Sequence, residues 1–376
     1  MKILISGDFC PIGRTDDFLK NEDYEALFNG FQDVVKTVDY AVVNLECPVT
    51  TATQTIEKTG PCIKTENLKA LDALKFAGFD LLTLANNHIL DYDQQGVRDT
   101  LENVKKYGFD AIGAGENRNE SKKPLIKEIS GKTIGFLNIA ENEFCAATDD
   151  SAGAYTFDLI DNLNQIKLLK QRVDKVVLIY HGGREHYQLP SPEQRKRFRY
   201  FIENGVDAIV SHHTHCFSGF EYHLGKPIVY SLGNFIFDYK KKYQKGKWTQ
   251  GMSVILNLYE EDFTVELLPH KQGRADDSTL HLLDKIEKKK FLAKVDELNA
   301  IIKDDVLFKK EWHRYIESQQ KFYLSSLYIK NLYVRFLFMK GILPISLLKS
   351  KHNNLVLNLM RCEAHYEISK DVLTLK

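Results

Sequence analysis

Seven side chains of this 376-residue chain share one local setting: Asp8, Glu46, Asn87, His88, His181, His213 and His215 each follow a short apolar run. Ile3-Leu4-Ile5-Ser6 leads to Gly7-Asp8, Ala41-Val42-Val43-Asn44-Leu45 to Glu46, and Leu81-Leu82-Thr83-Leu84-Ala85 to Asn86-Asn87-His88. Val176-Val177-Leu178-Ile179-Tyr180 leads to His181, and Ala208-Ile209-Val210-Ser211 to His212-His213-Thr214-His215. Open α/β sheets bind ligands at the carboxyl ends of their strands, so residues this far apart in sequence would meet at one edge. Carboxylates, an amide and imidazoles gathered there make a donor set for a metal ion. A lone histidine at a strand end is more often hydrogen-bonded structure than ligand, but five of the 12 histidines fall between His181 and His215. On an extended segment, His213 and His215 would present their imidazoles on one side.

Such a centre suits the hydrolysis of an anionic ester. Two cations held close together keep a hydroxide between them, neutralise charge growing on the equatorial oxygens and stabilise the leaving oxygen. Glu46 suits the bridge. Imidazoles mixed with carboxylates favour a divalent transition metal, one or two ions of Mn, Fe or Zn, over Ca or Mg. His88 is placed to act as general acid, with Asp91 either orienting it or capping the helix that follows. Arg14 and Arg184, with Glu185, offer contacts to a phosphate or carboxylate substrate, or else form surface ion pairs. Asn234, at the end of a strand, faces substrate or makes a turn. Cys10 is a metal ligand through its thiolate or a small buried hydrophobe.

These side chains need rigid carriers. Strands are expected at Lys2–Ser6, Tyr40–Leu45, Asp80–Leu84, Asp110–Ile112, Thr133–Ile139, Lys175–Tyr180, Asp207–Val210, Pro227–Ser231, Met252–Tyr259 and Phe263–Leu268. Helix-like stretches lie between them at Asn67–Phe76, Gln94–Tyr107, Leu159–Val173 and Pro192–Asn204, the last opened by Ser191-Pro192. That alternation is a layered α/β domain over residues 1–270. Near Asp276 glycine almost vanishes and apolar residues recur at helical spacing, so 271–376 is expected to be an α-helical region. Its aromatic and basic stretch, 322–348, reads as the core of a small bundle, an amphipathic surface for an anionic bilayer, or a docking face.

Composition narrows the function. Lys plus Arg and Asp plus Glu both number 51, so no global field draws the chain to nucleic acid. The six cysteines are scattered with no Cys-x-x-Cys pair, which suggests a reduced, cytoplasmic setting. The opening residues are too few and too mixed for a signal sequence or a span, so neither export nor an anchor is expected.

Gly7-Asp8 followed by Gly13-Arg14, Asn44-Leu45-Glu46, Asn86-Asn87-His88 with Asp91 and Gly96, and His181 with Gly183 and Glu185 stand in a suggestive order. Gly205-Val206-Asp207, His213-Thr214-His215 and Tyr230-Ser231-Leu232-Gly233-Asn234-Phe235 continue it. Together, over about residues 1–240, they resemble the bacterial capsule-synthesis CapA, or poly-gamma-glutamate synthesis, family of the calcineurin-like metallophosphoesterase superfamily. The resemblance implies a four-layered α/β/β/α sandwich, with Asp8, Glu46 and His215 at one metal and Glu46, Asn87, His181 and His213 at the other. It implies His88 as the catalytic imidazole, and a metal-dependent hydrolase of phosphoesterase type in capsule, poly-gamma-glutamate or exopolysaccharide metabolism. The partners implied are an anionic polymer or phosphoester, capsule-assembly proteins, and peripheral contact with the inner face of the membrane through 322–348. Two other roles stay open: a non-catalytic polymer-binding or assembly factor, and a metal-dependent γ-glutamyl amide hydrolase. The chain departs from the superfamily at Asp8-Phe9-Cys10, where Asp-x-His is usual, and at Glu46, where the bridge is usually aspartate. In place of His-Trp-Gly-x-Glu-Tyr it has His181-Gly182-Gly183-Arg184-Glu185-His186, a change that would open the pocket or alter the residue facing substrate.

Overall fold

Every run expected as a strand is one in the computed structural model, which describes residues 1–348 and 352–374. Lys2–Phe9, Tyr40–Leu45, Leu81–Thr83 and Asp110–Ile112 pair in parallel in one sheet. Antiparallel Gln250–Tyr259, Asp262–Lys271 and His281–Leu282 extend it, and the short Asn234–Ile236 pairs with the end of Lys2–Phe9. A second sheet runs in the order Phe220–His223, Lys226–Val229, Ala208–His212, Lys175–His181, Lys132–Ala140, Leu125–Ile129, parallel inside and antiparallel at both margins.

The packing follows from side-chain alternation along strands. Ile3, Ile5, Val42 and Leu81 share a core with Phe136, Val177 and Ile209 of the second sheet. Leu4, Ala41, Val43 and Leu82 turn the other way, onto Leu71, Leu74 and Val97 of the helices Lys69–Ala77 and Asp93–Lys106. Ile166, Leu169, Phe198, Phe201 and Ile202 bring the helices Leu159–Lys170 and Pro192–Glu203 into the core of the second sheet. Central strands with both faces covered explain the near-continuous apolar runs of the sequence. Ser191 caps its helix as expected, its Oγ accepting the Gln194 N–H at 3.1 Å with Pro192 in the first turn.

The chain divides into two compact units, Met1–Asp305 and Val306–Lys376. The helix Lys285–Lys303 belongs to the first, so the division falls at 305/306 and not at 270/271. Phe291, Val295, Leu298 and Ile302 join the α/β core, the rings of Phe217 and Phe291 lie 4.0 Å apart, and Asn299 Oδ1 accepts the Phe220 N–H at 2.7 Å. The change of composition near Asp276 marks a helix that completes the core. The second unit is helical, with Leu332–Met339, His352–Arg361 and Glu363–Thr374 among its helices; positions 349–351 and 375–376 of the expected helical region lie outside the described residues. In 322–348 only Ser325 and Phe338 are buried, while Phe322, Tyr323, Tyr333 and Phe336 are exposed. Leu324, Ile329, Val334 and Leu337 are half-buried, so the stretch turns one side inward and leaves several of its rings exposed. No described helix is long and apolar enough to cross a membrane.

Candidate metal centre

The carriers deliver their side chains by different local devices. The first strand slips register between Ser6 and Asp8, an irregularity of the kind that re-aims a side chain. A Cβ on Gly7 would sit 2.1 Å from the Gly233 carbonyl oxygen, so only glycine lets this strand close on Asn234–Ile236. Glu46 follows Tyr40–Leu45 directly, Asn87 lies in the turn after Leu81–Thr83, and His181 ends Lys175–His181. His213 and His215 are not on an extended segment. The strand ends at His212, and both residues adopt left-handed backbone, φ +91° and +52°. Such conformations cost a non-glycine residue on the order of 1–3 kcal/mol each. They are held by the His213 N–H, which donates to Asp8 Oδ2 at 3.2 Å, and by Thr214 Oγ1, which lies 2.8 Å from Cys216 O.

Two buried groups of ligand atoms result, Glu46 with His181 and His213, and Asp8 with Glu46 and His215, so that Glu46 is common to both. His181 Nε2 lies 3.0 Å from Asn87 Oδ1, 3.2 Å from His213 Nδ1 and 3.5 Å from Glu46 Oε1. His215 Nε2 is 3.9 Å from Glu46 Oε1. Glu46 is fully buried, and neither of its oxygens has a hydrogen-bond partner. An uncompensated buried carboxylate costs several kcal/mol. Burial, then the Asp8 carboxylate, pushes the Glu46 carboxyl well above its usual range. Burial alone would raise Asp8 too, but His212, His181 and His215 outweigh it and hold Asp8 below the usual carboxylate range. Burial drives His181 well down and His215 to about 4, leaving both imidazoles in the neutral form that ligates. His215 Nδ1 donates to Asn234 Oδ1 at 2.8 Å, which frees Nε2. Crowded lone pairs around an orphaned carboxylate fit a divalent cation.

Around this centre the other expected residues divide. Asp91 does not cap the helix, which starts at Asp93 after Tyr92. It accepts His88 Nδ1–H at 2.6 Å and the Ile63 N–H at 2.8 Å, and pairs with the buried side chain of Lys58, whose Nζ also donates to Asn87 O at 3.1 Å. Arg14 is committed elsewhere: Nε and Nη2 grip Asp238 at 2.9 and 2.8 Å, while Nη1 and Nη2 donate to the carbonyls of Ala275 and Arg274. Asn234 is fully buried at the start of its strand, its amide donating to Trp248 O, so it backs His215 and does not face a substrate. Glu185 is exposed at the rim and Arg184 half-buried beside it. Burial works to raise Glu185, but His215, His213, His186 and Arg184 bring it below its ordinary value. Cys10 is fully buried in the core that packs behind the first sheet and belongs to neither group of ligand atoms. Gly182 opens nothing, because Glu141 and Tyr180 fill the space where its side chain would be.

Three contributors escaped the sequence reading. Lys58 comes from a stretch with no regular structure and so no periodicity to flag it. His212 sits in the histidine run, 3.5 Å from Asp8 Oδ1, with both ring nitrogens unpartnered. Asn44 Nδ2 donates to Asp8 Oδ1 at 2.8 Å from inside a strand that looks wholly apolar in purpose.

The sequence pattern of the bacterial capsule synthesis protein PGA_cap matches residues 2–239. The chain is 33% identical over 236 residues to the Bacillus subtilis PGA biosynthesis protein CapA, a match covering 62% of each chain. It is 34% identical over 244 residues to the Bacillus anthracis capsule biosynthesis protein CapA, covering 62% of this chain and 58% of that one. The similarity thus spans less than two thirds of either relative's own length. On a pattern that covers more than half of its residues, the chain belongs to the bacterial capsule synthesis protein PGA_cap family.

Proposed function

We propose that this chain is a metal-dependent hydrolase of phosphoesterase type, acting on a phosphoester or another anionic linkage in capsule, poly-gamma-glutamate or exopolysaccharide metabolism. The observation that carries the reading is Glu46, a buried carboxylate without a hydrogen-bond partner, shared by two groups of metal-ligand atoms. The packing of two sheets with helices against their other faces supports the four-layered α/β/β/α sandwich of metallophosphoesterases, and the names of the two Bacillus proteins support the polymer. In this reading Asp8, Glu46 and His215 hold one ion of Mn, Fe or Zn, and Glu46, Asn87, His181 and His213 hold a second. When bound, such a pair supplies Lewis acidity and lowers the pKa of water toward neutrality.

The chain's own residues do the rest. Asp91 accepts the Nδ1 proton of His88, fixing the tautomer and leaving Nε2 for the leaving group. Burial holds His88 below its ordinary pKa, so the resting imidazole is neutral. An approaching anion raises that pKa, so that the ring takes up a solvent proton at Nε2; His88 then gives this proton to the leaving oxygen and returns to the neutral form. Arg184 and Glu185 contact substrate at the rim. Capsule-assembly proteins are partners in the same proposal, as is peripheral contact with an anionic membrane through 322–348, supported by exposed Leu332, Tyr333 and Phe336 beside Lys330, Arg335 and Lys340. The reading is tested by release of product from an aryl phosphate and a γ-glutamyl anilide. Loss of on the order of 100-fold or more of the aryl phosphate rate in His88→Ala, with metal content kept, supports it. An inactive wild-type protein, fully loaded with metal, leaves the non-catalytic assembly role.

A further inference from the structure

We infer that the segment Lys240–Lys247 is a docking ridge for a linear polycarboxylate, lying at the mouth of the metal centre. This deepens the function proposed above and rests on it for the choice of a carboxylate repeat. Lys240, Lys241, Lys242, Lys245 and Lys247 are all exposed, and among the described residues none forms an ion pair. No acidic residue occurs between Tyr239 and Tyr259. Asp238 is engaged by Arg14, and Asp277 by Arg274 and His281. In a chain of zero net charge, five uncompensated cations in eight residues are a local field with no internal use.

The ridge is held in place against the centre. Lys240 Nζ lies 5.1 Å over the Tyr239 ring and Lys242 Nζ 4.6 Å over Tyr243. Tyr239 stacks on Tyr243 at 5.6 Å, Tyr243 packs on Trp248 at 4.6 Å, and Trp248 packs on His215 at 4.4 Å. Gln244 ties the loop down, donating to Asp238 Oδ1 at 3.1 Å and accepting the Ala275 N–H at 3.1 Å. The stack therefore runs without a break from a metal-ligand imidazole to the lysines. His186, at the rim, lies 5.7 Å from Tyr243 and feels the positive charge of Lys247, Arg184 and Lys242.

The chemistry selects among polyanions. Single-stranded nucleic acid binds such sites by stacking bases on open aromatic faces, but here lysines and neighbouring rings cover those of Tyr239 and Tyr243. Membrane-binding loops set apolar anchors among their lysines, whereas no large hydrophobic residue is exposed between Leu224 and Tyr259. A flexible chain of repeated carboxylates needs only spaced point charges, which lysine supplies. Each exposed pair is weak, so one carboxylate is not retained, while a chain engaging several is.

The test is binding of labelled poly-L-glutamate, with polygalacturonate as a second polycarboxylate, to full-length protein and to a variant carrying Lys→Gln at 240, 241, 242, 245 and 247. We expect wild-type affinity to fall steeply with salt and the variant's Kd to rise by at least about tenfold, with melting temperature and metal content unchanged. Free glutamate should not compete. Preference for polygalacturonate keeps the ridge and makes the repeat a sugar acid. The ridge is overturned by a variant that binds both polymers as tightly as wild type, or by the five changes weakening an RNA oligonucleotide or phosphatidylglycerol vesicles more than either polymer. A protein without metal whose polymer binding still depends on the five lysines would keep the ridge and lose the hydrolase.

Discussion

Among single residues, the polar groups that matter most are those buried with or without a partner. The side chains of Lys58 and Asp91 are both buried and satisfied by each other, with His88 and the Ile63 N–H also donating to Asp91. Removing one member strands the other, so Lys58→Met should cost about 3–5 kcal/mol in urea unfolding, and Lys58→Met/Asp91→Asn should recover a large part of it. A single variant no less stable than wild type would show that the pair does not hold the His88 turn. Asp8, Glu46 and His181, which meet in the two groups of ligand atoms, were legible because each follows an apolar run. Lys58 was not, since an ion pair across an irregular segment leaves no periodic trace. Arg14 and Asn234 were misread for the opposite reason: a planar donor near the site looks like a substrate contact, and only the structure shows its hydrogen bonds already used by Asp238, Trp248 and His215.

At the scale of elements, strands and helices with strong periodicity were legible and the bends that shape the centre were not. The His213–His215 bend depends on a left-handed backbone that an alternating pattern cannot signal. Asn234–Ile236 is too short to show alternation, yet it places Asn234 behind His215 and is backed in turn by His270 on Asp262–Lys271. His270 Nε2–H donates to Asn234 O at 3.0 Å between the rings of Phe31 and Phe235, and burial brings its pKa from 6.5 to about 4. The unfolded chain takes up this proton as pH falls below 6.5, and the folded chain only near 4. Between those values the unfolded state binds more protons, so stability is full above 6.5 and falls as pH drops toward 4, by about 3 kcal/mol from this group. His270→Gln should remove that share of the slope in urea titrations at a series of pH values in chelator; identical slopes in variant and wild type would refute it.

At the scale of the whole molecule, the layered α/β class was legible because buried central strands and amphipathic helices alternate. The division between units was not, because helix Lys285–Lys303 resembles the helical region in composition while its Phe291, Val295, Leu298 and Ile302 pack into the α/β core. Four such side chains contribute on the order of 6–12 kcal/mol, comparable with the net stability of a domain. A chain ended at 270 should therefore fail to give a cooperative thermal transition, whereas one ended at 305 should melt cooperatively; cooperative melting of both would contradict this packing role. The central claim, that Glu46 is shared by a cation centre, is tested most directly by metal analysis of wild type and Glu46→Gln after loading with Mn, Fe or Zn and dialysis. Wild type should hold one to two ions per chain and Glu46→Gln little, with the variant no less stable than wild type in chelator. A wild type that retains no ion, or a Glu46→Gln variant that retains the full complement, would contradict it.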